Sequence, residues 1–212
     1  MLHIYLATFT ALSRKPTLAR LLAPAGFGTA EEKRSSTGKP FLESPDGKAH
    51  GLAIAHVRQA TPSFSVMAVT DDPLIGLDAE LWPTAMDAAF LASVAAPEDA
   101  ALIKRITALG RDPATFLWVA KEAALKASGE VMVDPRNISV ELSPNGHFCA
   151  ATSARASGPV AQAHIRIWRF NLKGSNAVGL LAPAATAQPR QNAGDAAQWH
   201  VTCADLDLAP VF

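Results

Sequence analysis

Residues 112 to 129 carry the strongest local instruction in the chain. Asp112 suits an N-cap, Pro113 suits the first helical position, where its missing N–H costs nothing, and Gly129 suits a left-handed stop. The spacing predicts a helix over residues 112–128, with Leu117, Ala120, Ala124 and Ala127 as its apolar stripe. So many small apolar residues this deep in the chain mean that the helix is packed.

The segments around it read mainly as strands. Residues 2–9 are β-branched and aromatic, and residues 16–22 read as a short helix closed by Gly26 and Gly28. A polar run over residues 31–36, Thr37-Gly38-Lys39-Pro40 and the turn Ser44-Pro45-Asp46-Gly47 form an ordered loop. Residues 51–56, 64–70 and 74–81 predict a meander of three strands, and residues 83–109 an Ala-rich helical stretch broken at Pro97. Residues 138–142 and 147–152 flank the hairpin signal Ser143-Pro144-Asn145-Gly146; strands follow over residues 164–172, 177–181 and 199–206, and residues 182–198 read as an exposed loop. Strands, then helices, then strands indicate an α+β chain with antiparallel sheets rather than a parallel doubly wound fold. Residues 30–56 (a polar helix-like run, a Gly/Lys turn, a Pro and a strand) faintly echo residues 119–142, which suggests two related lobes.

Composition narrows the function classes. Of 212 residues 49% are hydrophobic and 18% charged, enough for a substantial core and against disorder. With 19 Lys and Arg against 19 Asp and Glu, no whole-molecule field draws the chain to nucleic acid or an anionic membrane. The first 12 residues hold no Lys or Arg, and no apolar run approaches a membrane span of about 18 residues, so a cytoplasmic protein is expected. Cys149 and Cys203 lack metal-ligand spacing and are expected reduced in a core.

Three short patterns could carry chemistry. In Ile75-Gly76-Leu77-Asp78-Ala79-Glu80-Leu81, strand alternation puts Leu77, Ala79 and Leu81 on one face and Gly76, Asp78 and Glu80 on the other. With α-carbons roughly 7 Å apart, two such carboxylates in a dry site repel, so that one takes up a proton or a cation sits between them, in which case oxygen-only ligands favour Mg²⁺ or Mn²⁺; otherwise they belong to a wet edge strand. On the helix, Trp118, Glu122 and Lys126 share a face; the pair Glu122–Lys126 is either a solvent-exposed i,i+4 pair or a carboxylate and an ammonium serving a metal and a phosphate together. Gly38, Lys39 and His56 offer close backbone approach, a point charge and a hydrogen bond to phosphate oxygens, although Gly-Lys-Pro is also a common turn and the phosphate-loop spacing is absent.

The order Gly38-Lys39-Pro40, His56, Gly76-Leu77-Asp78-Ala79-Glu80, then Trp118 to Lys126 with Lys121-Glu122 at its centre, resembles the motif series of the surfactin-type 4′-phosphopantetheinyl transferases over about residues 34–181. The resemblance implies two similar α+β lobes related by a pseudo-twofold, each an antiparallel sheet with a packed helix, divided here as residues 1–82 and 83–212 with the active site between them. It implies transfer of the 4′-phosphopantetheine arm of coenzyme A to a serine of an acyl or peptidyl carrier protein, with release of adenosine 3′,5′-bisphosphate. Carried over residue by residue, Asp78, Glu80 and Glu122 would hold Mg²⁺ (or Mn²⁺), and Glu122, or a metal-bound water it orients, would take the serine proton. Lys126 would neutralise the diphosphate and Lys121 would support that charge, both at coenzyme A, while Gly38, Lys39 and His56, with Pro40, would receive its adenosine and phosphate end. Ala53 and Ala55 stand where the family often has Asn and Ser, which keeps open a degenerate relative that binds without transfer, and a different metal-dependent phosphoester enzyme is a third reading. Arg14, Lys15, Arg20 and Arg34 are candidates for the 3′-phosphate, and residues 88–111, with Phe90, Leu91, Lys104 and Arg105, for the carrier. A monomer is expected, and the carrier's pathway is not legible among fatty acid, polyketide and non-ribosomal peptide synthesis.

Overall fold

A computed structural model describes residues 2–9, 22–60, 63–71, 74–129, 133–142, 148–152, 162–171, 178–186, 199–203 and 207–212. The first half supplies strands β1 (Leu2–Phe9), β2 (Glu31–Arg34), β3 (Pro40–Glu43), β4 (Ala49–Val57), β5 (Phe64–Thr70) and β6 (Ile75–Leu81). Helices α1 (Ala88–Val94), α2 (Ala100–Ala108) and α3 (Pro113–Ser128) follow. The remainder is β7 (Ile138–Leu142), β8 (Phe148–Thr152), β9 (Gln162–Ile165), β10 (Trp168–Asn171), β11 (Val178–Thr186), β12 (Trp199–Cys203) and β13 (Asp207–Pro210).

The strands form two sheets. One runs β12-β1-β5-β4-β3-β2; the other runs β13-β10-β11-β9-β8-β7, with β6 along the remaining edge of β11. All pairs among the described residues are antiparallel except β1 with β12, which is parallel and departs from the all-antiparallel expectation. Two strands cross the division expected at residue 82. β6 from the first half pairs with β11 in the second sheet, and β12 from the second half joins the first sheet.

Alternation along β4 and β6 makes the sheets stack. Ala53, Ala55 and Val57 of one pack with Ile75, Leu77 and Ala79 of the other, an interface of small and branched residues that lets the layers come close. The opposite face of the second sheet takes α3, through Ala120, Ala123 and Ala127 against Leu180, Ala182 and Ala184. Phe116, Leu117 and Val119 are fully buried, each burial contributing roughly 1.5–3 kcal/mol. The outer face of the first sheet is covered by Leu22 and Phe27. The expected pseudo-twofold is not displayed by the described residues: α3 has no described counterpart on the first sheet, and the short helix expected over residues 16–22 lies, but for Leu22, outside them.

Helix α3 starts and stops where its sequence instructs. The Asp112 carboxylate accepts from Ala114 N at 3.3 Å and Thr115 N at 2.9 Å, and Gly129, at φ 73°, caps the other end. Three expectations are corrected. Residues 31–34 of the polar, helix-like run are strand β2, paired to β3 through a turn in which Gly38 takes φ 83°. The strand expected over residues 164–172 is two strands, β9 and β10, which meet different stretches of β11. β11 runs on to Thr186, and Ala182, Ala184 and Ala185, expected in an exposed loop, are buried, because they form the stripe that meets α3 and the other sheet. The turn 143–146 and the side chains of Cys149 and Cys203 lie outside the described residues. No helix among the described residues is long and apolar enough to cross a membrane.

Candidate active site

Gly76 determines how closely strand and helix approach. A Cβ there would lie 2.0 Å from the Ala123 carbonyl oxygen and 2.5 Å from the Ala127 nitrogen, so β6 meets the backbone of α3 with no side chain between them. Asp78 and Glu80 follow at the same parity and therefore emerge on the helix side, while Leu77 and Ala79 face the other sheet. Register confirms the face: Asp78 stands opposite Ala182 and Glu80 opposite Leu180, both of which pack towards α3.

Helix periodicity brings the partners. Lys126 Nζ donates to Asp78 Oδ1 at 2.5 Å and lies 4.0 Å from Glu122 Oε2, one turn back. Asp78 is 6% exposed, and its second oxygen, Oδ2, is buried with no hydrogen-bond partner. Neither the wet edge strand nor the plain surface pair describes this arrangement.

The carboxylates have too little positive charge around them. Burial pushes Asp78 above its ordinary range even against Lys126. Burial and the charge of Asp78 push Glu80 up to about 7, with Lys126 and Arg58 pulling the other way. Burial also raises Glu122, opposed by Lys126 and assisted by Asp78. Three acids thus share essentially one ammonium, which stands among them. As packed, no three His, Cys, Asp or Glu side chains among the described residues form a ready metal-holding group.

The other expected residues are placed unequally. Lys39 reaches from the β2–β3 turn to the end of α3 and donates to the Ala127 carbonyl at 3.0 Å, one residue beyond Lys126. Gly38 precedes it in the left-handed turn position and Pro40 opens β3. His56 is exposed, shares a hydrogen bond with Ser65 Oγ at 2.7 Å, and by alternation leaves β4 on the face opposite Ala53 and Ala55. Ala53 and Ala55 are themselves buried between the sheets. Lys121, expected at coenzyme A, is set apart: it is 0% exposed, and its ammonium donates to Asp99 Oδ2 and to the Val94 carbonyl, each at 2.6 Å. Burial holds it below the usual lysine range, against the pull of Asp99. Phe90 stacks at a tilt on Trp118, 5.9 Å between centroids, which sets α1 beside the Glu122 face. Arg34 donates to the Gly38 carbonyl at 2.9 Å; Arg14, Lys15 and Arg20 lie outside the described residues.

Two residues went unnoticed in the sequence. Arg58, close enough for its charge to act on Glu80, follows His56 by two positions, and the run His56-Val57-Arg58 was the available signal. Asp99 showed only as an acidic residue just after Pro97, and nothing local announced that it would pair with a lysine 22 positions on. A family model described as "4′-phosphopantetheinyl transferase superfamily" matches residues 74–181, from the start of β6 into β11, and thus covers all three carboxylates and Lys126. No curated protein matches the chain.

Proposed function

The chain belongs to the 4′-phosphopantetheinyl transferase superfamily, and from that premise we propose that it moves the phosphopantetheine arm of coenzyme A onto a serine of an acyl or peptidyl carrier protein. The motif series favours the surfactin-type branch, with the site beside the β6–α3 contact. In the reaction the serine hydroxyl oxygen forms a bond to the phosphorus bearing pantetheine. The diphosphate bond to the adenosine half breaks, adenosine 3′,5′-bisphosphate leaves, and the hydroxyl proton passes to the protein.

The observation that carries this reading is the under-neutralised set Asp78, Glu80 and Glu122 around Lys126, with Asp78 Oδ2 left bare. Hard oxygen donors with excess negative charge fit Mg²⁺, or Mn²⁺, and those three residues would hold it. Bound there, the ion supplies charge neutralisation for the diphosphate. Lys126 has a side chain 38% exposed and can release Asp78 to meet a phosphate oxygen, while Lys39 brings a second ammonium to the same end of α3. Glu122, raised by burial, holds a proton more readily than an open carboxylate does, which suits the group that accepts one from serine. Gly38, Pro40 and His56 are assigned to coenzyme A on the motif series alone.

Incubation with coenzyme A, Mg²⁺ and a panel of apo-carriers is expected to add about 340 Da to at least one of them by mass spectrometry. No addition to any carrier, together with no calorimetric binding of coenzyme A, refutes the reading. A second reading, binding without transfer, draws on Ala53 and Ala55, which are apolar and enclosed and so offer a ligand no side-chain polar group. Coenzyme A binding with no product selects it.

A further inference from the structure

Methyl groups make shallow ridges, so a helix seated on alanines is held in distance more firmly than in rotation. Helix α3 meets its sheet through Ala120, Ala123 and Ala127, and the Gly76 contact fixes how near it sits. Phe116, Leu117 and Val119 anchor the first half of the helix, and on the flank of Lys121 a polar tie adds a directional restraint on rolling. The Lys121 ammonium is bound by Asp99 Oδ2 and the Val94 carbonyl, each at 2.6 Å. Asp99 is held in turn: Oδ2 accepts from Ala96 N at 2.8 Å and Oδ1 from Val140 N at 2.8 Å. Both side chains are 0% exposed. Lys121 is therefore tied to the end of α1, to the turn Pro97–Asp99 and to β7.

The pair needs an explanation other than stability. Two buried charges of opposite sign gain little net stability over apolar side chains of similar size, because desolvation offsets their attraction. Their geometry, however, is rigid, and Glu122 is the next residue along, about 100° around the axis. With a carboxylate some 6–7 Å from that axis, a roll of about 15° displaces it by roughly 1.7 Å. That is enough to carry Glu122 and Lys126 out of register with Asp78.

We propose that Asp99 and Lys121 are positioning residues, a buried pin that sets the rotation of α3 and so the place of Glu122 and Lys126 relative to Asp78. This rests on the reading of the site given above, and it replaces a contact between Lys121 and coenzyme A. The informative variant is the double substitution Lys121→Met with Asp99→Asn, which removes both charges and keeps their sizes. Three quantities are compared with the wild type: thermal midpoint, Mn²⁺ affinity by electron paramagnetic resonance without coenzyme A or carrier, and kcat and KM for coenzyme A.

The double variant is expected to stay folded with a lowered thermal midpoint, because an amide nitrogen at position 99 replaces one of the two oxygens that accept from Ala96 N and Val140 N. In the folded protein it should bind Mn²⁺ at least about tenfold more weakly, in the range seen when groups behind metal ligands are lost, and lose kcat by a similar factor with KM nearly unchanged. A folded double variant with wild-type Mn²⁺ affinity and kcat overturns the proposal and leaves the pair a packing feature. A raised KM at unchanged kcat overturns it in favour of direct ligand contact. Should the double variant fail to fold, Asp99→Glu decides, because it keeps the charge and shifts the pin by one methylene: weakened Mn²⁺ binding in a folded protein supports the proposal, and unchanged binding overturns it. A wild-type protein that neither binds Mn²⁺ nor transfers ends the site reading itself, whereas failure confined to the variants ends only this inference.

Discussion

Gly76→Ala tests the contact on which the site depends, and it tests it with a sign opposite to the ordinary one. In an open strand, glycine costs roughly 0.5–1 kcal/mol relative to alanine, so the substitution normally stabilises. Here the new methyl would meet two backbone atoms, the Ala123 oxygen at 2.0 Å and the Ala127 nitrogen at 2.5 Å, and neither belongs to a side chain that can turn aside. Relief requires strand and helix to separate by roughly 1.2 Å, since close-packed interiors hold no spare volume. Overpacking of this kind costs typically 1–3 kcal/mol, and with the blocking atoms in backbone the upper end, about 3 kcal/mol, is expected. The same separation draws Asp78 away from the helix that carries Glu122 and Lys126, changing the spacing of the three carboxylates. Urea unfolding should thus show a loss of about 3 kcal/mol, a thermal midpoint lower by roughly 6–12 °C, and transfer to a carrier falling further than the folded fraction explains. A variant as stable as the wild type, with full transfer, would falsify the proposition that backbone contact between β6 and α3 builds the site.

Glu122→Gln keeps shape and removes the charge, so transfer should be abolished with the thermal midpoint within a few degrees of wild type; retained transfer refutes the role given to Glu122. Glu80 binds its proton near pH 7 when folded and near 4.5 when unfolded, so between those values the folded state holds more protons and stability should fall as pH rises. Partial exposure limits that fall to about 1–2 kcal/mol between pH 5 and 7.5, and Mg²⁺ should flatten it; urea unfolding at both pH values, with and without the ion, checks this, and a flat or rising metal-free profile counts against it. Lys39→Met removes an ammonium bound to the last turn of α3 and should cost about 1 kcal/mol with faster amide exchange in residues 125–128; no change in either measurement shows the bond to be idle.

The legible parts of this chain are those governed by local rules. Asp112, Pro113 and Gly129 specified α3 to within a residue, and the alternation in residues 75–81 told correctly which side chains share a face. Local rules also explain the errors. Residues 31–34 are polar because β2 is an edge strand whose charges face water, and a charged edge reads like a solvated helix. Residues 182–186 resemble a loop in sequence because alanine and proline are poor strand formers, but close approach to α3 selects for small side chains over strand propensity. Long-range pairing was silent throughout: nothing in residues 199–203 says that they lie parallel to residues 2–6, and nothing at Lys121 says that its partner is Asp99.

Lys121 and Lys126 show why residue type and motif position alone do not assign a role. They are five apart on one helix, equal in charge and equally part of the motif, yet the helical repeat turns them to different flanks. One faces Asp99, where two further backbone donors and a carbonyl complete a closed set of partners and every atom is shut away from water. The other faces Asp78 and Glu122, where partners are too few, one carboxylate oxygen is bare and more than a third of the lysine side chain remains accessible. A satisfied buried pair has nothing left to offer a ligand and serves only by holding its neighbours in place. An unsatisfied one keeps capacity for charge that comes from outside the chain. The difference in saturation, rather than the presence of lysine in the motif, is what separates the residue proposed to meet a phosphate from the one proposed to fix the helix carrying it.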